Sequence, residues 1–296
     1  MKSIHPWELG GTLFVPANHK HLAPIAEGKK FPSLRSMVID TEDGILESDV
    51  EKALLSIQTL LPILKPAKLL RFIRPRNPQT LEIFLSYTGI ENIDGFVLPK
   101  FGLENMEVYL RILENTPHPF IPSIEGNELF DVTQLTTLRN TLLPYQSRIP
   151  ILRFGAEDML RQLGLRRDCS LSLFDMSVPS YVIGSLLAVF KPHGFEISGG
   201  VYRCFNDHEG FKRDVLRDLS EGLVSKTIIH PDQIALVESC YRVPADELQE
   251  AQALLKAQSA VFSFNNTMAE AATQQQWGNS IIHREKIFGT KCRGGF

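Results

Sequence analysis

Cysteine is scarce and scattered. The four in the chain, Cys169, Cys204, Cys240 and Cys292, stand far apart and form no CxxC pair, so neither a zinc site nor a disulfide frame is indicated. The expectation is reduced thiols in a cytoplasmic protein. Long apolar runs are missing as well. The longest, Tyr181 to Phe190, is too short to span a bilayer and reads as a buried helix. The stretch Met1 to Gly11 has no apolar core of signal-peptide length. Charge of one sign is nowhere concentrated: 31 Lys+Arg stand against 34 Asp+Glu, a net charge of −3. That balance implies neither nucleic acid nor a membrane surface as partner. No Pro/Gly/Ser-rich linker, repeat or low-complexity segment divides the chain. The segment Gly222-Leu-Val-Ser-Lys226-Thr227 lacks the glycine before its lysine and leads into a strand, which excludes a phosphate loop.

What the sequence does contain is alternation. Short β-rich runs lie at Thr12–Ala17, Ser36–Thr41, Leu69–Arg76, Gly95–Lys100, Pro119–Glu125, Ile149–Gly155, Phe195–Val201 and Ser225–His230. Between them run stretches of helical spacing, clearest over Asp49–Leu64 with apolar Val50, Ala53, Leu54, Ile57, Leu60, Leu61 and Leu64. Further helices are predicted at Pro78–Tyr87, Leu103–Glu114, Leu129–Leu142, Val178–Phe190 and Glu209–Leu219. Eight strands with intervening helices predict an α/β fold, a single (β/α)8 TIM barrel over residues 1–240, with a doubly wound open sheet as the rival. Helices then follow at Asp232–Tyr241 and Ala245–Val261, and after them a final segment, Ala269–Gly289. They exceed what closing a barrel needs. Residues 241–296 are therefore expected to form a helical extension that packs on the barrel or on a neighbouring subunit.

The polar residues fall at the ends of these strands, where a barrel carries its chemistry. The second strand ends Asp40-Thr-Glu42-Asp43 and the third Arg74-Pro-Arg76-Asn77. The fourth ends at Lys100, the fifth at Glu125, the sixth at Gly155-Ala-Glu157-Asp158 and the eighth at His230. Idle buried charges would each cost several kcal/mol unless paired. Consecutive parallel strands lie about 4.8 Å apart, so Glu125 and Asp158 would meet at one spot. Two such carboxylates repel unless a proton or a cation lies between them. Hard oxygen ligands suit Mg²⁺ or Mn²⁺. Structural readings exist beside these: helix caps for Glu125 and Asp158, a polar turn for Asp40–Asp43, ion pairs for Arg74 and Arg76, packing for His230.

Leu13-Phe-Val-Pro16, Ile39-Asp-Thr-Glu-Asp-Gly44, Arg74-Pro-Arg-Asn77, Leu98-Pro-Lys100, Ile124-Glu125, Phe154-Gly-Ala-Glu-Asp158 and Lys226-Thr-Ile-Ile-His-Pro-Asp-Gln233 form an ordered series. The series resembles the successive blocks of the citrate lyase β-subunit / malyl-CoA lyase family, which is HpcH/HpaI aldolase-like. Phe264-Asn-Asn-Thr-Met268 resembles that family's C-terminal segment. Departures mark a divergent branch of TIM-barrel C–C bond lyases. Gly10-Gly11-Thr12 stand where Arg-Ser is usual, Ala17 where Gly follows the first block, and Ser225-Lys226 for Gly-Lys. The arginine block carries one extra residue, so Arg74 and Arg76 compete, and strand parity favours Arg74.

The resemblance implies a Mg²⁺-dependent carbon–carbon bond lyase or aldolase, working on a 2-oxo or 2-hydroxy acid or its acyl-CoA derivative through a metal-stabilised enolate. Glu125 and Asp158 would be the metal ligands. Arg74 would be the active-site arginine, with Glu42 or Asp43 orienting it or a metal-bound water. Substrate would be bound by Arg76, Lys100, Gly155, Ala156 and Glu157, the last three through a helix start that suits a carboxylate. No residue is assigned as general base. A coenzyme A thioester and a homo-oligomer, trimer or hexamer, are part of the expectation. The alternatives are a thioester hydrolase on the same scaffold and a non-catalytic ligand-binding subunit.

Overall fold

Short, fully buried strands build the centre of the molecule. The structure, a computed structural model, describes residues 4–265 and 267–291. Three features of the sequence reach outside the described residues: the first residues of Met1 to Gly11, Asn266 of the tail block, and Cys292. The chain divides into two compact units, Met1–Leu236 and Val237–Phe296.

In the first unit, β1 (Gly11–Pro16) and the short α1 (Leu22–Ala26) precede β2 (Ser36–Asp40) and α2 (Val50–Leu60). There follow β3 (Leu70–Arg74), α3 (Pro78–Leu85), β4 (Gly95–Leu98), α4 (Met106–Glu114), β5 (Phe120–Ile124) and α5 (Val132–Leu142). β6 (Arg153–Phe154), α6 (Ala156–Gln162), α7 (Ser177–Phe190), α8 (His208–Ser220) and β7 (Lys226–Ile228) complete it. Local sequence accounts for these elements. β2, β3 and β5 are buried along their whole length, as strands covered on both faces must be. α4 buries Met106, Tyr109, Leu110 and Leu113, one stripe at helical spacing. Asn77 caps α3 by accepting the N–H of Thr80 at 2.9 Å, with Pro78 at the first helical position.

The sheet is parallel throughout, in the order β6-β5-β4-β3-β2-β1-β7. The expected strand at Phe195–Val201 is present only as two parallel bridges, Leu152↔Ile197 and Gly199↔Lys226. Its backbone bonds reach both neighbours: Ser198 N–H donates to Leu152 O at 2.9 Å, and Gly199 N–H to Ser225 O at 3.0 Å. The segment thus joins the two sheet edges and closes the ring as its eighth member. On the outer face of β7, Lys226 Nζ donates to Asp214 at 2.6 Å and Asp218 at 2.5 Å, and Arg167 pairs with Asp214 at 3.1 Å, all four buried.

The expectation of reduced thiols fails. Cys169 and Cys204 are joined in a disulfide with Cα atoms 6.0 Å apart. Their 35-residue separation hid the pair, because the loop after α6 and the loop before α8 meet only in the folded chain. Cys240 is free and buried. The longest apolar run is indeed helical in α7, but Tyr181 at its start is exposed. No helix of the described residues is long and apolar enough to cross a membrane.

The second unit takes over within α9 (Asp232–Tyr241) and holds β8 (Val243–Pro244), α10 (Ala245–Leu255), β9 (Val261–Phe264), β10 (Thr267–Glu270), α11 (Ala271–Phe288) and β11 (Thr290–Lys291). α10 and α11 enclose a small core of Val243, Ala251 and Ile281. The predicted helix Ala245–Val261 stops at Leu255, and β9 and β10, which pair antiparallel, stand between α10 and α11.

Candidate active site

Strand parity decides what the ring presents at its C-terminal mouth. Asp40 pairs with Arg74 across β2 and β3, and Ser123 with Arg153 across β5 and β6. Alternate residues of each strand share a face. Phe14, Asp40, Arg74, Ser123, Arg153 and Thr227 accordingly line one cavity of about 730 Å³. An adjoining pocket of about 680 Å³ shares Glu125, Asp158 and Arg161 with it.

One wall is an arginine held by acids. Arg74 donates from Nε to Asp40 Oδ1 at 2.6 Å and from Nη2 to Asp40 Oδ2 at 2.9 Å. Its Nη1 donates to Asp43 at 3.3 Å and lies 2.8 Å from Glu42 Oε2. The latter contact has ion-pair distance without hydrogen-bond alignment, so Glu42 Oε2 keeps no hydrogen-bond donor. Burial alone would lower the pKa of Arg74. The bonds to Asp40 and the charges of Asp40, Glu42 and Asp43 outweigh it and raise the pKa, so the guanidinium stays charged. Asp40 also folds the loop, accepting the N–H groups of Glu42 and Gly44 at 3.0 Å each.

Glu42 is buried and does not line the cavity; Lys100 Nζ contacts its other oxygen. Burial pushes the Glu42 carboxyl from 4.5 up to about 7, against the opposing pull of Arg74 and Lys100. Asp43 is half exposed at the cavity edge. Burial acts upward there too, but Arg74 above all holds its pKa below the ordinary value. Lys100 sits at φ 46 and reaches both acids, which together with Glu125 raise its pKa against burial.

The opposite wall holds the two carboxylates. Glu125 is 5 % exposed; it accepts from Ser123 Oγ and, at 3.3 Å, from the Lys100 N–H. Asp158 follows in the first turn of α6 and accepts from Arg161 at 2.7 Å. Burial raises the pKa of Glu125, and the Asp158 charge adds to that rise. Gly155 lies between them: a Cβ there would sit 2.5 Å from Glu125 Cγ and 3.1 Å from Asp158 Oδ2. The missing side chain is what lets both acids approach.

The structure therefore gathers Asp43, Arg74, Glu125, Gly155, Ala156, Glu157 and Asp158 around one cavity, with Glu42 and Lys100 just behind. It does not bring Arg76 there. Alternation stops with β3 at Arg74, and the Arg76 guanidinium binds the 41–47 loop: the Thr41 carbonyl at 3.1 Å and the Glu47 carboxylate at 2.6 Å. Arg76 shapes the loop and is dropped from the substrate contacts. Glu157 lines the rim with its carboxylate 3.4 Å from Arg203. His230 stacks on Phe205 with ring centres 4.8 Å apart, a packing role. Arg153 also lines this cavity, although it is not among the strand-end residues singled out above. The available signal was a lone cation inside the apolar run Ile149-Pro-Ile-Leu-Arg-Phe154, two residues before Gly155 and hence on its face.

A family model described as C–C bond lyase of the TIM-barrel fold matches residues 3–290. The chain is 24% identical over 294 residues to the mitochondrial citramalyl-CoA lyase of Mus musculus, covering 91% of this chain and 84% of that protein. It is 21% identical over 261 residues to (3S)-malyl-CoA thioesterase of Cereibacter sphaeroides, covering 86% and 83%. Among solved structures, protein CitE from Mycobacterium tuberculosis in complex with magnesium, acetoacetate and coenzyme A superposes with a TM-score of 0.70. That match has 20% identity and covers 94% of this chain and 98% of that one. The structural likeness supports the (β/α)8 barrel expected from the strand–helix alternation.

Proposed function

Because this chain belongs to the C–C bond lyases of the TIM-barrel fold, we propose that its mouth breaks or forms a carbon–carbon bond in a 2-hydroxy or 2-oxo acid, or its acyl-CoA derivative, with Mg²⁺ held by Glu125 and Asp158. The observation that carries this is the pair of acids converging over the bare Cα of Gly155. Among the described residues no three His, Cys, Asp or Glu side chains are grouped to hold a metal. Mg²⁺ does not need three: it is commonly bound by one or two carboxylates and completes its shell with water and substrate oxygens. Burial raises Glu125 most, and a cation there would relieve the Asp158 repulsion that adds to that rise. When bound, the ion would supply Lewis-acid stabilisation of a 2-oxygen, worth several kcal/mol.

The protein's own groups do the rest. The leading N–H groups of α6 have no partner within the helix and suit the carboxylate of the acid. Arg74 uses Nε and one Nη2 proton on Asp40, and its remaining Nη2 proton is unclaimed among the described residues. It is the donor for oxygen charge that develops as the bond breaks; one such donor is typically worth about 3–4 kcal/mol. Asp40, Glu42 and Lys100 fix the guanidinium plane, and Ser123 fixes Glu125. These are positioning roles.

Thioester hydrolysis is the second reading, favoured by the similarity to a malyl-CoA thioesterase. The coenzyme A part of the proposal rests on the names of such relatives. A cytoplasmic setting rests on the substrate class alone, since disulfides are rare in that compartment. The homo-oligomer, trimer or hexamer, also belongs to the proposal, as does a barrel domain of 1–240 with its extension. Titrating Mg²⁺ into wild type and Asp158→Asn tests the metal site: affinity should fall at least tenfold, and equal affinity removes Asp158 from the ligand set. With malyl-CoA, a lyase yields a 2-oxo acid and an intact shorter thioester, whereas a hydrolase frees the thiol.

A further inference from the structure

β6 carries a buried charge that has no ion-pair contact among the described residues. Arg153 is 7 % exposed. Its Nη2 donates to Thr227 Oγ1 across the ring, and its guanidinium lies 4.6 Å from the centre of the Phe14 ring. Among the described residues no carboxylate forms an ion pair with it. Other buried cations are better served: Arg74 is enclosed by Asp40, Glu42 and Asp43, Lys226 by Asp214 and Asp218, Arg167 by Asp214, and Arg71, also without an ion pair among the described residues, donates to three backbone carbonyls. Burial and the nearby Arg74 push the Arg153 pKa down to about 9 against the pull of Glu125, the acid proposed to hold Mg²⁺, so at neutral pH it remains a cation. A buried charge left alone is costly, and a threonine hydroxyl could be held by a neutral donor. The charge itself wants a reason, and the guanidinium faces the cavity.

Resting on the lyase reading of this mouth, we propose that Arg153, steadied by Thr227 and Phe14, binds a second anionic group of the substrate, so that the acid taken up is at least dianionic. Arg153 stands two residues before Gly155 on one strand face, roughly 6–7 Å deeper in the barrel. An acid held over Gly155 by its first carboxylate would direct a second group inward to it. A thioester carbonyl is neutral and cannot supply that charge. The second group is a carboxylate or a phosphate ester, both of which a planar guanidinium fits in two-point contact.

The test is a set of dissociation constants measured by calorimetry with Mg²⁺ present, for acids matched at the chelating end: lactate against malate, and glycerate against 3-phosphoglycerate. In the wild type at least one dianion should bind roughly ten- to a hundredfold tighter than its partner, and the pair that does so separates carboxylate from phosphate. Arg153→Gln should bring that ratio near one with the monoanion unchanged, and Arg153→Lys should keep part of it. Without ligand, Arg153→Gln should hold or raise Tm, whereas an arginine needed only for structure would lower it. Thr227→Val should reduce the ratio by a smaller factor, and its ratio decides the matter if Arg153→Gln does not fold. A wild-type ratio near one, or a ratio that survives Arg153→Gln, overturns the proposal. Monoanion binding indifferent to Mg²⁺ overturns the lyase reading and leaves the ratio to judge Arg153; no binding by any of the four acids overturns both.

Discussion

Gly155→Ala adds one methyl group at the narrowest point of the site. The backbone there has φ −81 and ψ 91, which alanine adopts without strain, so any effect comes from collision alone. The new Cβ would lie 2.5 Å from Glu125 Cγ and 3.1 Å from both Glu125 Cβ and Asp158 Oδ2. Carbon atoms in good contact stand about 3.5–4.0 Å apart, so Glu125 must retreat by roughly 1 Å. It has little room to do so, being 5 % exposed and tied to Ser123 and the Lys100 N–H. Overpacking of this kind costs about 1–3 kcal/mol, and each kcal/mol lowers Tm by roughly 2–4 °C in a chain of this size. The retreat also moves one carboxylate of the pair off its partner, so Mg²⁺ affinity by calorimetry should fall more than tenfold. Gly184→Ala, in the middle of α7 with nothing within 4 Å of the added carbon, is the control. It should stabilise by about 0.5–1 kcal/mol and leave Mg²⁺ binding alone. A Gly155→Ala protein that binds Mg²⁺ like wild type would refute the reasoning from convergence.

Glu42 sets a pH dependence. Folding raises its carboxyl from 4.5 to about 7, so its contribution to stability is full below pH 4.5 and declines as pH rises to 7, by at most about 3 kcal/mol in total. Urea unfolding of wild type and Glu42→Gln over that range should show curves that diverge with pH; parallel curves would mean that Glu42 titrates alike in both states. Lys226→Met strips the buried pair Asp214 and Asp218 of its main cation, leaving Arg167 on Asp214 alone. Stability should drop by about 3–5 kcal/mol, and a loss under about 1 kcal/mol in chemical denaturation would refute a structural role for this ion-pair cluster.

Much of the fold was legible because secondary structure is written locally. A β-rich run of five buried residues such as Leu70–Arg74, followed by a capped helix starting Asn77-Pro78, specifies its element within a dozen residues. Repetition of that unit predicts a parallel barrel, and the rule that strand ends carry the chemistry pointed to Asp43, Arg74, Glu125 and Asp158. The weak strand at Phe195–Val201 was found by the same pattern, although only two bridges hold it. The pairing of Val261–Phe264 with Thr267–Glu270 was not legible, since these short, partly exposed strands carry no strong apolar pattern, and the helix predicted to Val261 ends at Leu255.

Sequence by itself thus determined the barrel and the strand ends that bear its charges. Only the tertiary structure decided which charge meets which. Arg74 and Arg76 are two residues apart, yet one enters the cavity and the other grips a loop, because strand alternation ends between them. Arg153 is marked in the sequence only as a lone cation in an apolar run; its neighbours on β1, β5 and β7, which include no acid within ion-pair reach, come from the fold. Cys169 and Cys204 pair across 35 residues for the same reason. Side-chain pairing depends on register and loop path between distant segments, and those are fixed by how the strands close into a ring, not by any residue's near neighbours.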